Sequence, residues 1–329
     1  MQNVLLSSDL FQLIISYQGG VYYDVRSLVQ LLQCTSAEGF RLSPSLPPAF
    51  DSLFVPWFKV YGANGLHRLL HCKYNLARHL LLYAAMYDRQ TILEFLHKNH
   101  CLVNDELAWE LAAEHGNDAV LKFLHDNGYD VYSSTVLDKA ACNGHVAAVR
   151  FLHQNYKVKS RWVIRWALTL ACERGHLDVV KYLLPHGEWV PHLMLVAATN
   201  GNLDVVRYLH NAGYQAVSTR EMDQAARSGH LHMVEFLHTH RSEGCTQRAM
   251  DLAAGFGHLN VVKFLHFHRT EGCTKDALDI AALNGHLHVV EFLQKHRTEG
   301  FTTNAIEWAL QRGYRAIVNA LQTSIACTD

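Results

Sequence analysis

One glycine returns along this chain at a nearly fixed interval, and that interval limits what the chain can fold into. It occurs at Gly116, Gly144, Gly175, Gly201, Gly229, Gly257, Gly285 and Gly313, with spacings of 28, 31, 26, 28, 28, 28 and 28. Around it runs the phrase GHL-x-VV-x-FLH, preceded by A-A-x-x. A period in this range marks a solenoid, whose units are too small to bury their apolar faces alone and so stack on their neighbours. Upstream, LLLYAAMYDRQTILEFLH keeps Ala84, Ala85, Phe95, Leu96 and His97 in register, with Asp88 in the glycine's place. The register therefore begins by about Asn75, and nine helix pairs are expected to end near Gln322. The resulting expectation is an all-α helix-turn-helix solenoid over 61–322, a small helical region over 1–60 and a tail over 323–329.

Within one unit, each half has its own start and stop signal. Thr274 precedes a helix-forming run ending at Leu283, and Asp105, Ser133, Ser218, Thr246 and Thr302 hold the same place. All are side chains able to cap free amides at a helix start. Asn284 and Gly285 stop the first helix, because glycine takes the left-handed conformation without a steric penalty. Val289, Val290, Phe292 and Leu293 then supply the second helix's apolar stripe at helical spacing. Ala281 and Ala282 are small, as neighbouring first helices that approach closely require. The spacing of 31 predicts a first helix about one turn longer near Trp162 to Glu173. The spacing of 26 carries Pro191, which suits a first helical position.

Composition adds exclusions. A net charge of -1 and a pI of about 7.1 give no global field toward nucleic acid or an anionic membrane. Eight cysteines are spread along the chain with no C-x-x-C pair. Cys245 and Cys273 are equivalent in adjacent units, and stacked helices lie about 8–10 Å apart, beyond the reach of a disulfide. Reduced thiols follow, and with no leader and no long apolar run we expect an intracellular, cytoplasmic protein.

The pattern A-A-x-x-G-H-x-x-V-V-x-x-L after a capped helix resembles the ankyrin repeat over about three-quarters of the chain. It departs from that family in its shorter unit and in its opening. AMDLAA at Ala249 to Ala254 and ALDIAA at Ala277 to Ala282 stand where the family has T-P-L-H-x-A-A, so Asp251 and Asp279 replace histidine. The EGCT link is too brief for a hairpin finger, as in the finger-poor ankyrin variety of protists, oomycetes and large DNA viruses. The resemblance implies protein binding through the first helices and the turns between them, without catalysis and without a cofactor.

The candidate binding residues follow from the departures and from the exposed first-helix positions. YKVKSRWVIRWALTL, Tyr156 to Leu170, places Lys157, Lys159, Arg161 and Arg165 beside Trp162 and Trp166. Tryptophan and arginine dominate binding hot spots, and such a cluster can anchor a protein or stack on bases. The i, i+4 tryptophans equally make a core stripe. Asp138, Asp223, Asp251 and Asp279, with Glu110 and Glu307, form an acidic ladder, which either satisfies groups between repeats or selects a basic partner. Gln247, Arg248, Lys275, Asp276, Thr303 and Asn304 complete the candidate partner-binding set, with nucleic acid the less favoured ligand.

The periodic histidines read as template positions, since a zinc site needs three or four ligands on one ion. His67 and His71 have ligand spacing but no intervening glutamate of the H-E-x-x-H kind. At the N-terminus, VLLSSDLFQLIISYQ predicts an amphipathic helix with Leu6, Leu10, Leu13, Ile14 and Tyr17, followed by DVRSLVQLLQ and the prolines Pro44, Pro47, Pro48 and Pro56. The stretch from Leu6 to Tyr17 distantly resembles the opening of an F-box without its usual proline, which would imply a Skp1-type adaptor as partner and a role in ubiquitin ligation. The alternative is a cap covering the first repeat's apolar face. No Walker loop, G-x-S-x-G, strand-borne G-x-G-x-x-G or kinase motif set is present, so no enzymatic activity is expected.

Overall fold

The computed structural model describes residues 17–18, 21–33, 46–71, 76–130, 133–156, 161–187, 190–214 and 218–326. They belong to two compact units, residues 1–157 and 158–329. The stretch from Leu6 to Ser16, with its F-box resemblance, lies outside the described residues, as do Lys157, Lys159, Pro44 and Cys327.

The first unit opens on a short antiparallel hairpin, β1 (Tyr17–Gln18) and β2 (Val21–Tyr22), with Tyr17 opposite Tyr22. Tyr17 is thus in a strand and not at the end of the expected amphipathic helix. Helices α1 (Arg26–Gln33) and α2 (Leu46–Leu70) follow, and α2 is broken at Gly62, where φ is 51°. Phe50, Phe54 and Trp57 on α2 pack with Tyr83, an aromatic core that holds α2 against the first helix pair. Three pairs complete this unit: α3 (Ala77–Tyr87) with α4 (Gln90–Lys98), α5 (Glu106–Glu114) with α6 (Asp118–Asp126), and α7 (Ser134–Cys142) with α8 (Val146–Asn155).

The second unit holds six pairs. They are α9 (Arg161–Arg174) with α10 (Leu177–Leu183), α11 (Leu193–Thr199) with α12 (Leu203–Asn211), and α13 (Arg220–Arg227) with α14 (Leu231–His240). Then come α15 (Gln247–Gly255) with α16 (Leu259–His268), α17 (Lys275–Leu283) with α18 (Leu287–His296), and α19 (Thr303–Gln311) with α20 (Arg315–Ala326). The described residues thus hold nine helix pairs, and the last helix continues past Gln322 to Ala326.

The repeated phrase A-A-x-x-G-H is a helix terminator. In α17 the amide of Gly285 donates to the carbonyl of Ala282, and that of His286 to Ala281, the two bonds of a Schellman ending. The same two bonds recur at Gly144 with His145, Gly229 with His230, and Gly257 with His258. Each such glycine is left-handed, and Asp88 takes the same conformation, φ 53°, where the glycine is missing.

A side chain at Gly229, Gly257 or Gly285 would also strike the next repeat. A Cβ on Gly229 would lie 2.5 Å from the His258 ring, and one on Gly257 2.6 Å from that of His286. The ring is there for a reason. His145 Nε2 donates to the carbonyl of Glu114 at 3.0 Å and His230 Nε2 to that of Thr199 at 3.2 Å, satisfying carbonyls left free at the preceding first helix's end. Asn117 and Asn202 do the same work by donating Nδ2 to two carbonyls each. The other histidine series meets the next repeat's phenylalanine edge to face, as His97 with Phe123, His210 with Phe236 and His238 with Phe264. His71 Nδ1 lies 2.7 Å from the His67 carbonyl. Among the described residues no group of three or more His, Cys, Asp or Glu is arranged to hold a metal ion.

The paired apolar residues and the leucine of each second helix are buried, as are the paired alanines of the first helices, which become Ala171 and Cys172 in α9 and Ala309 alone in α19. Phe292, expected in that stripe, is half-buried and lies on the aromatic ladder beside His266. The cap signals hold for Asp105, Ser218, Thr246 and Thr274, which accept from backbone amides two residues on. Ser133 instead pairs with the Thr135 hydroxyl, and Thr302 donates to Asp279 without capping its own helix. The irregular repeats behave as their lengths require: α9 has 14 residues against nine in α15, and α11 has seven. Pro191 stands in the turn before α11, not at its first position.

Candidate partner-binding surface

The acidic ladder resolves first, because it removes charge from the surface. Asp251 sits in α15 with its side chain turned toward the next repeat, where Thr274 donates its amide to Oδ1 at 2.7 Å and its hydroxyl to Oδ2 at 2.9 Å. Asp223 holds Thr246 in the same way, and Asp279 holds Thr302. Each threonine hydroxyl at 246 and 274 also accepts from its own helix's amide, so one aspartate fixes the cap of the following repeat. Asp251 is only 7% exposed and Asp279 4%, and burial pushes the Asp223 and Asp251 carboxyls up against the opposing pull of the threonine bonds. For Asp223, Asp251 and Asp279 the expected acidic stripe selecting a basic partner is therefore corrected, since these carboxylates lie inside the stack, whereas Glu307 is exposed on α19. Glu110 likewise accepts from Thr135. Asp138 differs, because its Oδ1 is buried with no hydrogen-bond partner among the described residues, and burial raises its pKa to about 6.

On α9 the core positions are Ile164, Ala167, Leu168, Ala171 and Cys172. Trp162 and Trp166 fall between them on the outer face, 67% and 50% exposed, so they are not a core stripe. Arg165 lies over the Trp162 ring at 5.6 Å, which holds the guanidinium against an apolar plane without neutralising it. The tryptophans, Arg165, Thr169 and His192 line a hollow of about 60 Å³. His192 is kept below its usual pKa by burial and then by the Arg165 charge, so it faces the hollow as a neutral ring at pH 7. Arg161 begins α9; its side chain is outside the described residues.

A second, larger groove of about 550 Å³ lies across the first helices α9, α11, α13 and α15, lined by Glu173, Thr199, Arg220, Gln224 and Arg248 among others. Arg220 and Arg248 are exposed and form no ion pair among the described residues. The structure thus brings the predicted Arg248 into one groove with Arg220, Glu173, Thr199 and Gln224, which sequence reasoning missed. Arg220 was within reach of the pattern, since it stands 28 residues before Arg248. His192 was not, because it belongs to the shortened repeat. Gln247, Lys275, Asp276, Thr303 and Asn304 are exposed at the starts of α15, α17 and α19, outside both hollows.

These helix pairs are what a family model of ankyrin repeats matches, at residues 109–192, 137–220, 193–276 and 250–328. The chain belongs to the ankyrin repeat family. No curated protein matches it. Ankyrin repeats are as a class protein-interaction modules, and proteins built from them are typically non-enzymatic scaffolds. The ankyrin link here, Arg-x-Glu-Gly, carries no strand: Arg269 pairs with Glu271 and covers Gly244 of the preceding link, and Arg297 with Glu299 covers Gly272. Hydrogen bonding to Arg269 holds the Glu271 pKa down to about 2. Among the described residues no helix is long and apolar enough to cross a membrane.

Proposed function

We propose that this chain is an interaction scaffold that holds a partner protein on the first-helix face of its second unit, without catalysis. The observation that carries the reading is the exposed pair Trp162 and Trp166 on the lengthened helix α9, which shares that face with the groove of Arg220 and Arg248. Large exposed tryptophans cost solvation free energy in a free protein, and their rings offer wide, rigid contact area to a partner. The repeats of this unit supply the rigid base. The partner is expected to be protein, with no cofactor required.

The test is affinity capture with the full chain and three variants: Trp166→Ala, Arg248→Ala and Lys263→Ala. Lys263 is exposed on the second helix α16 and serves as the control. Partners lost with the first two variants and kept with the third support the reading. Partners kept by all three variants remove it, and capture by the full chain that fails once residues 1–45 are deleted moves the function to the N-terminal region.

A further inference from the structure

The overall charge of this chain is close to zero, but the first-helix face of α9 to α15 is not neutral. Its acids are consumed internally: Asp223 and Asp251 each accept two bonds from the next repeat's threonine and are buried. Its bases are not. Arg220 and Arg248 line the groove with no ion pair to another described residue, Arg248 acting only through space on the buried Asp223 carboxyl, and Arg165 rests on the Trp162 ring. Glu173 is the one other carboxylate lining that groove among the described residues. The register therefore separates charge, with carboxylates inward and guanidiniums outward. Further along, α17 begins with the mixed pair Lys275 and Asp276, so the excess of cations is confined to α9 through α15.

Resting on the scaffold reading above, we propose that the segment held in this groove is an acidic peptide, its carboxylates on Arg220, Arg248 and Arg165 and an apolar side chain against Trp162 and Trp166. Guanidinium groups present paired donors that match carboxylates, and an unpaired arginine beside a groove gains most from a partner that supplies them. The tryptophans and the neutral His192 favour an apolar neighbour between those charges. A nucleic acid fits less well, because its evenly spaced phosphates would have to pass Glu173, whereas a peptide can place its carboxylates only where the arginines are.

Selection of a phage-displayed library of random 16-residue peptides against the full-length protein tests this. The expected result is enrichment of sequences with several Asp or Glu residues around an aromatic or aliphatic residue. Binding of the leading peptide, followed by fluorescence anisotropy, should weaken about tenfold on raising salt from ~50 to ~300 mM. The double variant Arg220→Glu, Arg248→Glu should lose that peptide and enrich basic ones, with an unchanged circular dichroism melt. Enrichment of neutral or basic peptides by the natural sequence, still dependent on Trp166, would overturn the acidic preference and leave the scaffold reading standing. Peptides indifferent to Trp166 and to both arginines, or no enrichment at all, would remove both. A 20-nucleotide single-stranded DNA bound more tightly than the leading peptide at the same salt would replace the peptide with nucleic acid.

Discussion

The regular repeats from Thr246 to Arg312 and the irregular pair of repeats from Arg161 to Tyr214 are built on the same phrase and use it differently. In the regular stretch almost every polar side chain facing another repeat has a fixed partner: aspartate with threonine 23 residues on, arginine over the preceding glycine. In the irregular stretch α9 is lengthened and α11 shortened, and the fixed exchanges give way to single solutions. The Tyr214 hydroxyl bridges to the amide and carbonyl of Val190, and burial raises its pKa to about 12. Thr169 turns back on the carbonyl of Arg165. The lengthened helix sends its extra turn outward with Trp162 and Trp166. Strict periodicity locks repeats together, and a break in it is where surface becomes available for recognition.

Six substitutions break or sharpen this contrast, beginning with the largest expected effect. Gly257→Ala forces a left-handed alanine and drives its Cβ into the His286 ring, and should cost about 3 kcal/mol in denaturant unfolding. Gly313→Ala has the same backbone strain with nothing within 4 Å, so about 1 kcal/mol is expected. Equal losses would show that the ring-over-glycine contact contributes nothing. Asp251→Ala strands the amide and hydroxyl of Thr274 and should cost about 2 kcal/mol. A double-mutant cycle with Thr274→Ala should return a coupling of about 1 kcal/mol, and a null coupling would dismiss the ladder as a source of register.

Asp138→Asn is expected to act in the opposite direction. Asp223, Asp251 and Asp279 each have a threonine 23 residues on, whereas the residue at that spacing from Asp138 in the sequence is an arginine, Arg161. The folded pKa of Asp138, about 6, lies above its ordinary value of 3.8, so the folded state holds its proton longer and loses relative stability as pH rises between these values. The variant should therefore be more stable by about 1 kcal/mol at pH 7, allowing for solvent screening, and no more stable near pH 3.5. A melt difference independent of pH would contradict this. Smallest in stability is Trp166→Ala, half-exposed on α9, with a loss of about 0.5 kcal/mol or less beside a complete loss of partner capture.

Much of the fold was legible in the residues because its signals are local. A threonine or aspartate before a helix accepts an amide two residues away, and Ala-Ala-x-x-Gly-His closes the helix through bonds that span only four and six residues. Nine such pairs could be counted, and the unequal spacings placed the lengthened and shortened helices. The candidate site was legible only in part. Trp162, Arg165 and Trp166 stood out by composition, but whether they faced the core or the solvent depended on the rotation of α9, and an i, i+4 pair fits either face. Arg220 was in register with Arg248 and could have been read from it; His192 and Glu173 could not.

By itself, then, the sequence determined the helix pairs, their caps and their repeat, since these rest on hydrogen bonds between residues a few positions apart. Only the tertiary structure decided that Asp251 and Asp279 face inward, that a neighbouring ring forbids a side chain at Gly257, and that Arg220 and Arg248 share one groove. Those outcomes depend on how far each repeat is shifted and turned against the next, and that offset is set by the packing of whole helices.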